Sequence, residues 1–90
     1  MAQVTFTPHL KRFFPDLAET YIEAATVREV IDALERRFPG FASYVVDEAG
    51  RLRRHVNVFV DDEMIYDRDT LSDAVRPKTR VFIVQALSGG

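Results

Sequence analysis

A single amphipathic helix is the sequence feature that most constrains how this chain can fold. Thr26 precedes Glu29 by three residues, the spacing of a capping box, in which the hydroxyl and the carboxylate satisfy exposed backbone N–H groups at a helix start. Apolar side chains then recur at helical spacing, at Val27, Val30, Ile31, Leu34 and Phe38. Pro39-Gly40 ends the helix. Because one helix cannot bury its own apolar stripe, the rest of the chain must supply a sheet to cover it.

The remaining segments supply the strands of that sheet. Alternating polar and apolar side chains, or runs of β-branched ones, predict strands over residues 3–7, 18–24, 55–60, 64–66 and 79–85. Pro8 ends the first strand, and Asp61-Asp62-Glu63 forms a tight turn before the short fourth one. Residues 41–46 are apolar and can begin with a short helical turn.

The order of these elements predicts an α+β domain. A mixed sheet of four to five strands packs on one main helix, and the last strand pairs with the first. At 90 residues the chain can bury one modest core, so residues 1–90 are expected to form a single domain with a flexible C-terminal tail at 86–90.

Composition excludes several classes of function. The absence of cysteine removes disulfides, thiolate nucleophiles and Cys-ligated zinc. A formal net charge of −2 predicts no broad attraction to nucleic acid or to an anionic membrane. No apolar run approaches the length of a membrane span, and the N-terminus lacks the features of a signal peptide. We therefore expect a cytoplasmic protein.

No residues suggest a metal site or a catalytic centre. His9 and His55 are far apart in sequence and have no cysteine to complete a zinc site. The acidic residues Asp61-Asp62-Glu63, Asp67 and Asp69 lack the glycine and the distal glutamate of a calcium loop, so they are interpreted as a solvated turn. The prediction is that the chain binds no metal and no cofactor.

The chain ends in Leu87-Ser88-Gly89-Gly90, directly after a predicted strand. Glycines have no Cβ, so such a tail can enter a narrow channel and leave its carboxylate open to attack. Taken alone, the same dipeptide also fits a frayed terminus in which glycine is merely tolerated.

Four segments together resemble the MoaD/ThiS family of ubiquitin-like sulfur carriers. They are the helix start at 26–30, the strand and turn at 54–63, the C-terminal third at 71–84, and Gly89-Gly90. The resemblance covers essentially the whole chain and implies a ubiquitin-like β-grasp fold. The chain departs from the family at 76–79, where an acidic-glycine turn is common, and at Ser88, where alanine is common.

The resemblance also suggests a branch of the family. The extra length around residues 41–54, and the Val-Asn-Val strand followed by Asp-Asp-Glu, are more similar to carriers that serve cysteine biosynthesis or to small archaeal-type modifiers.

The resemblance implies a function centred on the tail. A ubiquitin-activating-like adenylating enzyme would use ATP to adenylate the Gly90 carboxylate, and a sulfur donor would convert it to a thiocarboxylate. That group would give sulfur to an acceptor enzyme of molybdopterin, thiamin or cysteine biosynthesis. Gly89, Ser88 and Leu87 would occupy the partner's channel. Catalysis would belong to the partner, so the chain would not be an enzyme.

The partner is expected to bind the sheet face that the helix leaves open. Alternation on the last strand separates Val81 and Ile83 from Phe82, Val84 and Ala86, and in ubiquitin-like folds the second group is the exposed one. Phe59 can join this group from the central strand. The alternative is that a loop or residues 41–46 cover these residues. The chain is expected to be a monomer that meets its partners transiently.

Two other functions share these features. The chain can be a modifier that is joined through Gly90 to lysines of target proteins. It can also be a β-grasp interaction domain whose tail is inert.

Overall fold

The computed structural model describes residues 1–85 of the chain. The predicted site residues Ala86, Leu87, Ser88, Gly89 and Gly90 lie outside these described residues. The elements in chain order are β1 (Ala2–Phe6), α1 (Pro8–Lys11), β2 (Thr20–Ile22), α2 (Val27–Arg37), α3 (Phe41–Val45), β3 (Val56–Val60), β4 (Glu63–Met64) and β5 (Arg80–Gln85).

Five strands form one mixed sheet in the order β2-β1-β5-β3-β4. The central pair, β1 and β5, is parallel, and the other three pairs are antiparallel. The predicted α+β class and the predicted pairing of the last strand with the first are confirmed.

The main helix, α2, begins at its predicted cap. The Thr26 hydroxyl accepts a hydrogen bond from the Glu29 N–H at 3.2 Å. The Glu29 carboxylate accepts one from the Ala25 N–H at 2.9 Å, one residue earlier than in the standard capping box. The helix then buries Val27, Val30, Ile31 and Leu34, while Phe38 is half-buried just beyond its end.

The core lies between α2 and one face of the sheet. Alternate residues of the three central strands point into it, namely Val4, Phe6, Val56, Val58, Val81 and Ile83. Leu71 and Val75, in the loop before β5, are also buried.

The structure differs from the sequence-based prediction in three places. The second strand is shorter than predicted and covers only Thr20–Ile22. Pro8 ends the first strand but also starts α1, since proline suits the first position of a helix. The turn before β4 has two residues, Asp61 and Asp62, so Glu63 already belongs to the strand.

Candidate functional site

The open face of the sheet carries the residues that were predicted to meet a partner. On β5, Val81 and Ile83 are fully buried in the core, whereas Phe82 is 40% exposed. Val84 is half-buried on the same side as Phe82, as strand alternation requires. The prediction for Ala86 falls outside the described residues.

Phe82 lies in a row of side chains that crosses the sheet. It is in register with Phe59 on β3 and with Thr5 on β1. Phe59 is in turn in register with Met64 on β4, and Met64 is 49% exposed. We call the four apolar residues of this area, Phe59, Met64, Phe82 and Val84, the open-face patch.

The segment that was considered as a cover for Phe59 lies elsewhere. Phe41, at the start of α3, is fully buried, and its ring centroid is 5.7 Å from that of the core residue Phe6. This places α3 on the core side of the sheet, against α2. Phe59, which is half-buried, faces the other side of the sheet, where α3 does not cover it.

Met64 was missed by the sequence analysis because of the turn length assigned there. A three-residue turn at 61–63 does not place Met64 opposite Phe59. The observed turn pairs Val60 with Glu63 and therefore Phe59 with Met64. Two-residue turns are the commonest connections in β-hairpins, and this preference could have predicted the pairing of Phe59 with Met64.

A polar pair borders the patch beside Val84. Asn57 is in register with Val84, and its side-chain oxygen accepts a hydrogen bond from Arg68 at 2.9 Å. The other terminal nitrogen of Arg68 donates to the carbonyl of Arg53 at 2.6 Å. These bonds hold a cation at the edge of the apolar area, next to the strand that leads to the tail.

The last described residue, Gln85, is held on both sides. Its backbone N–H donates to the Thr7 hydroxyl at 3.2 Å, and it is in register with Val56 on β3. The Thr7 N–H also donates to the carbonyl of Ile83 at 3.1 Å. Gln85 is therefore fixed between β1 and β3. We call Gln85 the root of the tail, because residues 86–90 follow it in the chain.

A cleft lies beside Gln85. It has a volume of ≈ 360 Å³ and is lined by Thr7, Pro8, His9, Arg12 and Gln85. His9 Nδ1 and Gln85 Oε1 are buried, with no hydrogen-bond partner among residues 1–85. Sequence reasoning did not find this site, because the residues it joins are 78 positions apart.

The acidic residues after β4 bond to their own loop. The Asp67 carboxylate accepts hydrogen bonds from the hydroxyls of Ser72 and Thr70, which hold the pKa of Asp67 well below its ordinary value of 3.8. Asp73 accepts from the backbone N–H groups of Tyr66 and Asp67. These carboxylates stabilise the crossing from β4 to β5. Within residues 1–85, no three His, Asp or Glu side chains are grouped so as to hold a metal ion.

Comparisons with known proteins agree with this architecture. The sequence model of the ThiS family matches residues 6–90. Over 67 residues the chain is 33% identical to the sulfur carrier protein CysO of Mycobacterium tuberculosis, and the alignment covers 72% of each protein.

Solved structures extend the likeness to the whole chain. A chain of the Amycolatopsis orientalis BexX/CysO complex has a TM-score of 0.85 at 28% identity, with 100% of both chains covered. SAMP1 from Haloferax volcanii has a TM-score of 0.77 at 23% identity, with 99% of this chain and 98% of that one covered. These matches confirm the ubiquitin-like β-grasp fold. Nowhere in residues 1–85 is a helix long and apolar enough to cross a membrane.

Proposed function

Because the chain belongs to the ThiS family, we propose that it is a sulfur carrier that acts through the carboxylate of Gly90. The observation that carries the proposal is the family match, which extends through residue 90 and so includes Gly89 and Gly90. The 33% identity to CysO supports the same function, and it favours cysteine biosynthesis over thiamin or molybdopterin as the destination of the sulfur.

The proposed reaction has two steps on the tail. The Gly90 carboxylate oxygen attacks the α-phosphorus of ATP, which releases pyrophosphate and leaves an acyl-adenylate. Hydrosulfide, or the sulfur of a donor equivalent to it, then attacks the acyl carbon and AMP leaves, giving a thiocarboxylate. The thiocarboxylate is the nucleophile that an acceptor enzyme of the pathway uses.

In this proposal the chain is the substrate of its partner. The adenylating enzyme binds ATP and supplies the acid–base and electrostatic catalysis, while the carrier holds no cofactor of its own. Leu87, Ser88 and Gly89 lie in the partner's channel. Gly89 has no side chain and that of Ser88 is small, so the carboxylate can reach the α-phosphate. Because the reaction consumes ATP, we place it in the cytoplasm.

The open-face patch is the proposed docking surface for the adenylating enzyme. Phe82 and Met64 are exposed by 40% and 49%, and they lie on the sheet face opposite α2. Aromatic and methionine side chains are enriched at protein interfaces, where their burial supplies most of the affinity. Val84 joins the patch to the root of the tail, and Ala86 is proposed to continue it. An enzyme that covers Phe82 is thus also in place to receive Gly90.

Intact-mass measurement tests the function. The full chain is incubated with ATP, sodium sulfide and the adenylating enzyme of its own organism. We expect a mass gain equal to the exchange of one oxygen atom for one sulfur atom, localised to the C-terminal peptide. A variant that lacks Gly89 and Gly90 is the control and should show no gain. An equal gain in both proteins, or none in either, would contradict the proposal.

Two further measurements, of conjugates and of partner binding, separate the two alternatives. A modifier would give conjugates of higher mass, joined through Gly90 to lysines, when target proteins are added. An interaction domain with an inert tail would bind its partner equally well without Gly89 and Gly90, and it would gain no sulfur.

A further inference from the structure

The cleft beside Gln85 lies on the opposite side of the tail root from the open-face patch. Along β5, Val84 points to the open face, so Gln85 points to the core side, as Ile83 does. α1 packs on that side through Leu10, which is fully buried. The first turn of α1 and the end of β5 therefore form the two walls of the cleft.

Two residues that line the cleft each carry a buried polar atom without a partner. His9 Nδ1 and Gln85 Oε1 are both inaccessible to solvent, and no atom of residues 1–85 bonds to either one. Most buried polar atoms in folded proteins have a partner, because an unpaired one loses its hydrogen bonds to water and gains none in return. A volume of ≈ 360 Å³ leaves room for a group that supplies one.

His9 on α1, Gln85 on β5 and Arg12, which directly follows α1, can each donate hydrogen bonds in the cleft. Arg12 always carries its positive charge, and within the described part of the chain it forms no ion pair. His9 donates from Nδ1 in one of its tautomers. The oxygen and nitrogen of a glutamine side chain are assigned from their hydrogen-bond partners. With the two atoms of Gln85 exchanged, its amide presents an N–H to the cleft. A cation with two further donors suits a carboxylate.

We propose that this cleft receives a carboxylate side chain of the adenylating enzyme. The inference rests on the proposed function, because it requires that an enzyme encloses the root of the tail. Such an enzyme contacts both sides of that root, the open-face patch on one and the cleft on the other. An aspartate or glutamate that enters the cleft pairs with Arg12, and the His9 and Gln85 side chains, once turned toward it, gain the partners that they lack. The contact fixes the direction in which the tail enters the active site.

Charge reversal at Arg12 tests the proposal. We expect Arg12→Glu to raise the KM of the adenylating enzyme for the carrier by about tenfold or more, because a like-charge contact replaces an attractive one. The kcat should stay within about twofold, since Arg12 touches no reacting atom. Arg12→Lys should keep most of the activity. Arg36→Glu, which makes the same change of charge on the exposed side of α2, is the matched control and should leave KM unchanged.

The outcomes distinguish the inference from the function on which it rests. If the wild-type chain gains no sulfur, the proposed function fails. If the wild-type chain is active and Arg12→Glu has the KM of Arg36→Glu, the function stands and the inference is overturned.

An NMR titration of the free chain tests the chemistry of the cleft without an enzyme. We expect acetate to shift the Arg12 Nε–H and Gln85 side-chain amide resonances, whereas acetamide should not. Equal effects of the two compounds would overturn the proposal. The chain's own C-terminus is a second source of a carboxylate, and a chain that ends in a Gly90 carboxamide tests it. If its Arg12 resonance differs from that of the wild type, the chain's own terminus occupies the cleft, and the assignment to the enzyme is overturned.

Discussion

At the scale of single residues, Glu35 joins two helices that Pro39-Gly40 separates. Its carboxylate accepts hydrogen bonds from the backbone N–H groups of Gly40 at 2.9 Å and Ala42 at 2.8 Å. These bonds satisfy exposed donors at the start of α3. They also hold the pKa of Glu35 below its ordinary value of 4.5, with the Gly40 bond as the largest cause.

This pKa shift predicts a dependence of stability on pH. A carboxyl group with a lowered pKa in the folded state stabilises the protein above its unfolded-state pKa. That contribution is lost as the pH falls through 4.5 toward the folded-state value. We expect Glu35→Gln to be less stable than the wild type at pH 7 and to lose less stability on acidification. Urea unfolding at pH 7 and pH 3 measures both differences.

Glu48 provides the control for this prediction. It is exposed in the turn before β3, and among residues 1–85 its side chain makes no hydrogen bond or ion pair within 4 Å. Glu48→Gln should therefore match the wild type at pH 7. If the two variants show the same pH profile, the Glu35 bonds do not stabilise the helix junction.

At the scale of elements, α2 depends on its cap. The Thr26 hydroxyl bonds to the Glu29 N–H, and Thr26 also forms an isolated antiparallel bridge with Ala74. The cap thus lies where the helix start meets the loop before β5. We expect Thr26→Ala to lower the free energy of unfolding by about 1 kcal/mol, because an exposed N–H loses its acceptor. Thr26→Ser keeps the hydroxyl and should restore most of the loss. Equal stability of both variants in thermal unfolding would contradict the prediction.

The turn before β5 contains a residue in a left-handed conformation. Lys78 has a φ of 71°, and the Thr79 N–H donates to the carbonyl of Arg76 at 3.0 Å. Pro77 therefore occupies the second position of a four-residue turn whose third position favours glycine. Glycine adopts this backbone conformation more readily than lysine does, because it has no Cβ.

Replacing Lys78 by glycine should stabilise the protein. A left-handed conformation costs an L-residue about 1–2 kcal/mol, and the extra freedom of glycine in the unfolded chain offsets about 0.5–1 kcal/mol of the gain. We expect Lys78→Gly to raise the free energy of unfolding by about 0.5 kcal/mol. Lys78→Ala removes the charge but keeps the Cβ, so it should give no gain in the same urea titration. A gain of equal size in both variants would assign the effect to charge.

At the scale of the whole molecule, two surfaces flank the root of the tail. The helix and the core occupy one side of the sheet, and the open-face patch occupies the other. Phe82 is at the centre of that patch and contributes nothing to the core cluster. Under the proposed function, partner binding and folding therefore depend on different faces of the same strand.

This separation predicts that binding can be lost without loss of the fold. We expect Phe82→Glu to raise the KM for adenylation by about 30-fold. This corresponds to a loss of about 2 kcal/mol of binding free energy, which is typical of an interface hot spot. The midpoint of thermal unfolding should change little, because the side chain is 40% exposed. Phe82→Leu keeps an apolar contact and should retain most of the activity. An unchanged KM in Phe82→Glu would place the docking surface elsewhere.

The local features of this protein could be predicted from its sequence. The cap at Thr26, the buried stripe of α2 and the alternation of β5 each depend on interactions between residues a few positions apart. The pairing of the last strand with the first was predicted together with the mixed sheet, and β1 and β5 do pair, in parallel. The tail and its proposed chemistry, which lie outside the described residues, were also identified from sequence, through the resemblance to a family.

Only the tertiary structure decided what surrounds the tail root. Met64 joined the patch because a turn has two residues instead of three, a change that shifts the register of every side chain after it. The cleft exists because Thr7 and Gln85, 78 positions apart, meet at the end of a parallel pair of strands. Sequence patterns record which face a residue takes within its own element. Contacts between distant elements depend on how those faces pack, and that packing is a property of the whole fold.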